Sequence, residues 1–463
     1  MLYGIDDILT ACGGAARDVA ADGVSSISID SREIAAGALF VAIRGANFDG
    51  HDFVARAIQA GAVAAMVNCD QADALSGLPL IVVEDALEGL CGLAAFSRAR
   101  SKARVIAVTG SVGKTSTKEA TRVALEANGT THASIKSFNN HWGVPLMLAR
   151  MPADAEFGVF EIGMSAPGEI TPLSKLVRPH VAIVTTVAPA HIEFFASEAA
   201  IADAKAEIFV GVEPGGHAII GSDHAHVDRL VEAAQAAGLT TTTYGYMRAD
   251  VGISDYQSTP KGAKGHVDGV GISLEVSIAT AGRHMLANAV AALLAARQVG
   301  ANEQTTLEAL SAHGAPEGRG AAILLGNVAD PIRLIDESYN ANPTSMRAAL
   351  EVFAQVPTRG RRILVLGDMR ELGAASADYH ADLAGDVITA KPDLVFLVGE
   401  HMAALAEKLP AELVAARTQA VDDIAGSVLE TLAPGDSVML KGSNGVRLGT
   451  LVVRIRDRFG SID

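Results

Sequence analysis

The chain has 463 residues, 49% hydrophobic and 19% charged, a composition too apolar for a disordered protein. Its 37 basic and 53 acidic residues leave a net charge of −16, which repels nucleic acid and anionic membrane and excludes a sequence-independent backbone binder. At about 100–200 residues per domain, the length points to three domains, each burying its own core.

In chain order, the first segment carries short apolar runs at 26–29, 39–43, 62–67 and 80–83, bounded by Gly, Pro, Asn and Asp, with a helical stretch at 53–59. The second opens on a continuous apolar strand at 104–109 that runs into a glycine-containing turn and a helix. Strand-like runs follow at 158–162 and 180–187. That alternation predicts a parallel sheet covered on both faces. The polar, Gly-rich stretch 256–276 reads as a hairpin or insertion, 285–297 as a helix, and 313–320 as a linker. The third segment alternates again, with strands at 333–335, 363–366, 394–398 and 437–440. Asn342 can cap a helix there, with Pro343 at its first position and Met346, Leu350 and Phe353 at helical spacing. The expected fold is α/β in three domains, 1–101, 102–314 and 315–463. The central one is a P-loop parallel-sheet domain and the last is Rossmann-like. No GxGxxG follows a strand in that last segment, so no dinucleotide is expected there.

Residues 1–18 have no base before Arg17 and do not read as a signal peptide, and no apolar run reaches the ~18 residues of a membrane span. Cys12, Cys69 and Cys91 are odd in number, far apart and without a CxxC pair. They fit buried free thiols rather than a disulfide framework or a zinc site. A cytoplasmic protein is expected, with neither a membrane nor a nucleic-acid partner.

The strongest chemical signal is the run from Val105 to Glu119, VIAVTGSVGKTSTKE. A buried strand, a turn containing Gly110, Ser111 and Gly113, and then Lys114, Thr115 and Ser116 opening a helix form the context of a phosphate-binding loop. Its backbone N–H groups turn inward and the helix N-terminus adds positive potential. Lys114 would reach the β- and γ-phosphates and the Thr115 hydroxyl would ligate Mg²⁺. The common GxxxxGK[ST] pattern has Gly where this chain has Val108. The loop alone leaves kinase, GTPase, transporter ATPase and ligase open, though no NKxD base-reading motif of a GTPase is present.

Glu161 closes an apolar strand, where P-loop proteins commonly keep a metal-holding acid. His191 follows another strand and reads equally as a loop residue or a satisfied core group. Lys205 lies beside the apolar face of a helix capped by Ser197, where a snorkelling lysine is the ordinary account. A lysine ammonium also carries the wrong charge for a metal site unless something converts it to an anion.

Taken in order, these residues resemble the Mur ligases, whose P-loop does not require the earlier glycine. The resemblance rests on Gly110–Glu119, Asn139-Asn140-His141-Trp142-Gly143, Ala190-His191-Ile192-Glu193, Ala204-Lys205-Ala206-Glu207-Ile208 and Asn288-Ala289-Val290. It continues through Gly318-Arg319-Gly320, Ser338-Tyr339-Asn340-Ala341-Asn342-Pro343 and Leu366-Gly367-Asp368-Met369 with Glu371-Leu372-Gly373. In the first segment Asp30-Ser31-Arg32, the stretch 37–42 and Asp49-Gly50-His51-Asp52-Phe53 are similar to the uridine-nucleotide end.

The resemblance implies an ATP-dependent amide ligase of peptidoglycan synthesis, a monomer that joins D-alanyl-D-alanine to UDP-N-acetylmuramoyl-tripeptide through an acyl phosphate. It implies that Lys114, Glu161, His191 and Lys205 are catalytic, and that Thr115, Glu161, His191 and a carbamate on Lys205 serve two Mg²⁺ ions. Gly110, Ser111, Gly113, Lys114, Thr115, Ser116, Asn288, Arg319 and Asn340 would hold ATP, with either Asp336 or Glu337 at the ribose. Ser31, Arg32, Asp49, His51, Asn139 and Asn140 would bind substrate. Without the family order, Ser31 and Arg32 read as a solvated turn, the two Asn residues as turn chemistry and Asp368 as a helix cap. Lys441-Gly442-Ser443 follows a strand and is expected to face the peptide. Sister ligases that add diaminopimelate, lysine or folate glutamates are the near alternatives, and a P-loop switch that hydrolyses a nucleotide is the distant one.

Overall fold

The computed structural model describes residues 1–259, 262–316 and 318–462. Pro260 and Lys261 of the expected insertion and Glu317 of the expected linker lie outside them. The first sheet has five strands in the order Ala15–Arg17, Leu80–Val83, Ala64–Asn68, Ala38–Val41, Ser26–Ser28, all parallel except the first. Its middle strands are unbroken apolar runs because both faces are covered. The helix Ala86–Arg100 follows, started by the Asp85 carboxylate, which accepts the N–H groups of Leu87 and Glu88.

The central sheet has nine strands, with Arg104–Thr109 between Phe157–Glu161 and Val181–Val184. The expected strand at 180–187 is shorter, four residues, because the chain then leaves the sheet to pass under the P-loop. The insertion expected at 256–276 is three antiparallel strands, Val251–Thr259, Gly262–Gly269 and Ile272–Ile278, which extend this same sheet. Alternation along the buried strand sends Val105 and Ala107 to one face and Ile106 and Val108 to the other. The first of those faces does not end at the sheet. One apolar core runs from Tyr3, Ile8, Leu39 and Val41 of the first segment through Val105, Phe160 and Val184 of the second. The Tyr3 hydroxyl donates to Ala149 O (2.5 Å) and Arg150 Nε to Ile27 O (2.7 Å) across the same seam. The first two segments share this core, and each also has an apolar cluster of its own, as length led one to expect.

The third segment folds around its own sheet, ordered Ala321–Leu325, Ile332–Glu337, Ser437–Lys441, Arg362–Gly367, Leu394–Val398, Val414–Thr418, with only the first strand antiparallel. Separate apolar clusters fill its two faces. The helix Pro343–Ala354 starts as its sequence predicts: Asn342 accepts the Ser345 N–H (2.9 Å) and the Ser345 hydroxyl accepts the Asn342 N–H (3.0 Å). This unit meets the central one through few groups, among them the Tyr339 hydroxyl donating to Ser137 Oγ (2.5 Å) and Ile192 packed at the edge of its core.

The thiols differ from expectation. Cys69 is exposed on the turn after the strand Ala64–Asn68, and Cys12 and Cys91 are half-buried. Among the described residues no helix is long and apolar enough to cross a membrane. Asn342→Ala should destabilise the C-terminal unit by about 1 kcal/mol, the usual cost of losing such a cap. A lowered denaturation midpoint of that unit measures it.

Candidate active site

The carboxyl ends of the central and C-terminal sheets line one cleft of about 860 Å³. Open parallel sheets bind ligands at such ends, where neighbouring connections diverge to opposite faces. On the central side the strand Arg104–Thr109 delivers the loop Gly110–Gly113 and the helix Lys114–Glu126. Val108, the departure from the common pattern, is a buried residue of the strand and packs into the core; the turn itself begins at Gly110.

Two glycines are obligatory here. Gly110 has φ +148°, and a Cβ on it would lie 1.9 Å from Thr185 Oγ1. Gly113 has φ +90°, and a Cβ there would lie 2.8 Å from Asn288 Oδ1. Thr185 donates to Val112 O (2.5 Å), Ser111 N donates to Thr186 O (2.8 Å), and the Ser111 hydroxyl donates to Ala188 O (2.9 Å). The residues after Val181–Val184 thereby fix the loop from below. Gly113 is the N-cap of the helix, and no side chain caps it, so its first N–H groups face the cleft. Lys114 Nζ donates to Gly110 O (2.6 Å).

Glu161 is buried at the end of its strand. One carboxylate oxygen accepts the Thr115 hydroxyl (2.8 Å) and the other the Asn139 amide (2.7 Å). Asn139 therefore sits with the P-loop acid. Asn140 makes a turn instead, its side-chain oxygen accepting Trp142 N and Gly143 N, although it too lines the cleft. His191 lines the cleft with left-handed backbone and pairs through Nδ1 with Glu371.

Lys205 does not snorkel. It is 2% exposed, and its side chain makes no hydrogen bond or ion pair among the described residues. Burial, reinforced by the charge of Lys114, pushes its amine well below the ordinary lysine range. Burial also lowers Lys114, an effect that Glu161 opposes and Arg319 strengthens. His191 is lowered by burial and by the two lysines, against Glu371.

Whether these groups suit a divalent cation is a question of donors. Among the described residues no three His, Cys, Asp or Glu side chains gather at one point. The Thr115 hydroxyl, the Glu161 carboxylate and the His191 ring do share the cleft. They supply the oxygen and imidazole donors that a divalent cation takes.

On the C-terminal side Glu337, Asn340, Arg370 and Glu371 line the cleft, and Arg319 stacks 4.4 Å over the Tyr339 ring. The strand Ile332–Glu337 separates the two adjacent acids. Glu337 faces the cleft and accepts Lys441 Nζ (3.1 Å), whereas Asp336 is turned inward and accepts the N–H and hydroxyl of Ser338. Lys441 and Ser443, expected to face a peptide, line the cleft, and Lys441 Nζ donates to Glu337 and to the Asn340 carbonyl (3.1 Å). Asp368 accepts Met402 N (3.0 Å), the helix-capping role. Asn288 is buried beside Gly113, and near it Tyr244, Tyr246 and Arg283 form a wall with the Arg283 guanidinium 4.0 Å over Tyr246.

The residues of the first sheet lie apart from this cleft. Arg32 pairs with Asp30 and holds its carboxyl at about 2. Asp49 accepts the His51 N–H (3.0 Å) and ring, and pairs with Arg44. Its burial is outweighed by those bonds, and it too sits at about 2. His51 accepts Asn68 N (3.0 Å), and Ser31 is buried beside the pair Asp30–Arg32.

Sequence reasoning passed over two supports. Glu207 follows the Lys205 helix and accepts Gly168 N, Ile170 N and Thr171 N, capping the helix Ile170–Val177. Thr185 sits under the P-loop. An acid two residues after Lys205 and a threonine at a strand end were the available signals. Gly110→Ala should abolish high-affinity binding of an ATP analogue by calorimetry, because the new methyl and Thr185 Oγ1 cannot share the space.

Three regions match known families: residues 23–90 the Mur ligase family catalytic domain, 108–296 the Mur ligase middle domain, and 323–444 the Mur ligase glutamate ligase domain. The UDP-N-acetylmuramoyl-tripeptide–D-alanyl-D-alanine ligase of Rickettsia prowazekii is 32% identical over 92% of this chain and 94% of its own length. The Escherichia coli protein of that name is 36% identical over 82% and 83%. A crystal structure of MurF from Acinetobacter baumannii superposes with a TM-score of 0.86 at 29% identity, covering 98% of this chain and 99% of that one. With the P-loop and the carboxyl end of the C-terminal sheet lining one cleft, this chain belongs to the Mur ligase family.

Proposed function

We propose that this chain is an ATP-dependent ligase of peptidoglycan synthesis that joins D-alanyl-D-alanine to UDP-N-acetylmuramoyl-tripeptide through an acyl phosphate. The relatives of that name span nearly its whole length. The observation that carries the reading is the single cleft lined by the P-loop on one side and the C-terminal sheet on the other. A nucleotide hydrolase needs only the first side; a ligase must hold a second reactant against the first.

The division of labour follows from the chemistry. Residues 1–101 would hold the uridine nucleotide, with Ser31, Arg32, Asp49 and His51 toward it and Asn139 and Asn140 toward the sugar-peptide. Residues 102–314 would hold ATP, and residues 315–463 would place the dipeptide. Lys114, Ser116 and the N–H groups of Gly110–Gly113 bind the phosphates and stabilise the charge that develops as the γ-phosphoryl group moves to the carboxylate. Asn288 would meet the adenine, Arg319 the phosphate edge, and Glu337 and Asn340 the ribose side. Two Mg²⁺ ions held by Thr115, Glu161, His191 and a modified Lys205 would neutralise charge between the two anionic reactants. The amine of D-alanyl-D-alanine then attacks the acyl carbon and phosphate leaves. The chain would act as a monomer, and nucleotide-activated substrates of this kind support a cytoplasmic enzyme.

The carbamate on Lys205 answers the charge problem. Burial favours the neutral amine, whose lone pair can bond to the carbon of CO₂ as a proton is released, leaving an anionic oxygen donor.

Phosphate release measured with ATP should require both the UDP-linked tripeptide and D-alanyl-D-alanine. Equal release with either one withheld would favour simple hydrolysis and overturn the reading. Lys205→Ala should lose most activity and recover part of it with added acetate or formate, whose carboxylate can occupy the vacated volume. Full activity without the acid would remove Lys205 from the metal site.

A further inference from the structure

The pair His191–Glu371 joins two units that otherwise meet through few groups, and the mechanism above gives Glu371 no task. Both residues have left-handed backbone, φ +59° and φ +62°, although neither is glycine. A β-carbon disfavours that conformation, so each is held there by its surroundings. Glu371 follows the strand Arg362–Gly367 on a loop pinned by its neighbours: Met369 N donates to His380 Nε2 and Arg370 N to Ser443 Oγ, both at 2.9 Å. Its carbonyl accepts Glu193 N (3.3 Å), and its carboxylate meets His191 Nδ1. Two residues on, Gly373 lies against the same segment, where a Cβ on it would be in van der Waals contact with Glu193 Cα at 3.5 Å.

An imidazole whose Nδ1–H is held by a carboxylate keeps its proton there and its lone pair on Nε2. We propose that Glu371 is a positioning residue: carried by the C-terminal unit, it fixes the His191 ring so that Nε2 is presented to the cleft only while the two units are joined. This makes docking of the C-terminal unit a condition for the central site's geometry. It rests on the ligase reading for its kinetic consequence and on geometry alone for the ring.

Full-length protein labelled with ¹⁵N on histidine, saturated with an ATP analogue, reports the ring directly, with His191→Ala assigning the signal. The wild type should show a proton on Nδ1 and none on Nε2, and Glu371→Ala should show mixed tautomers. In the ligase assay Glu371→Ala should lower kcat by about 10–100-fold, the usual range for a group orienting a metal-site histidine, with KM for the UDP-substrate unchanged. Glu371→Gln keeps the shape and a carbonyl acceptor, so it should preserve the tautomer and recover most of the rate. A wild-type tautomer and rate in Glu371→Ala would overturn the proposal, as would Glu371→Gln being as slow as Glu371→Ala. If the wild type shows no phosphate release dependent on D-alanyl-D-alanine, the ligase reading fails, and the histidine spectrum alone then decides the link between Glu371 and His191.

Discussion

Removing positive charge from water is the constraint around which this molecule is arranged. Lys114, Lys205 and His191 lie within one another's fields, and Glu161 and Glu371 are the nearby anions. An ammonium out of water is costly unless it is paired or neutral. Lys114 is steadied by a backbone carbonyl of its own loop, whereas the Lys205 amine has no partner among the described residues and is driven toward its neutral form. A net charge of −16 describes the solvated surface and says little about this interior. Anionic reactants are drawn by a few desolvated donors on a rigid loop, and those donors are costly to hold in their absence.

The way the units join divides the labour of rigidity and movement. Central and N-terminal sheets are fused by an apolar core that continues from Tyr3 to Val184. Among the described residues the C-terminal unit keeps apolar clusters of its own, and polar contacts together with the edge of Ile192 help tie it to the others. Junctions of the second kind permit relative displacement, and those of the first do not. The P-loop, Glu161 and Lys205 belong to the fused body, whereas Arg319, Glu337 and Glu371 travel with the C-terminal sheet.

What the sequence disclosed depended on how local the cause was. The P-loop was legible because strand, turn and helix are consecutive, and Asn342-Pro343 announced a helix that starts where its cap says. Glu161 was legible as an acid at a strand end. Lys205 was not, since a lysine beside an apolar stripe fits both a snorkelling and a buried chain, and only packing chooses. Asp336 and Glu337 remained alternatives in one dimension. The pleat separates them: Glu337 shares a face with Ile335, toward the cleft, and Asp336 shares one with Ile332 and Leu334. The shared core of the first two segments and the meeting of Glu371 with His191 join residues far apart in the chain. No periodicity reports such contacts.

The continuous core also bears on how this chain could be reassembled from parts. A cut near residue 101 would run through packed side chains, leaving Tyr3, Leu39 and Val41 on one piece without the Phe160 and Val184 that cover them. A cut near 315 crosses a polar seam and leaves both apolar cores of the C-terminal sheet whole. Exchange between relatives is therefore tolerated unequally along the chain. The unit proposed to place the incoming amine is thus a transferable module. The unit proposed to hold the nucleotide sugar is bound by its packing to the one proposed to hold ATP, and those two must change together.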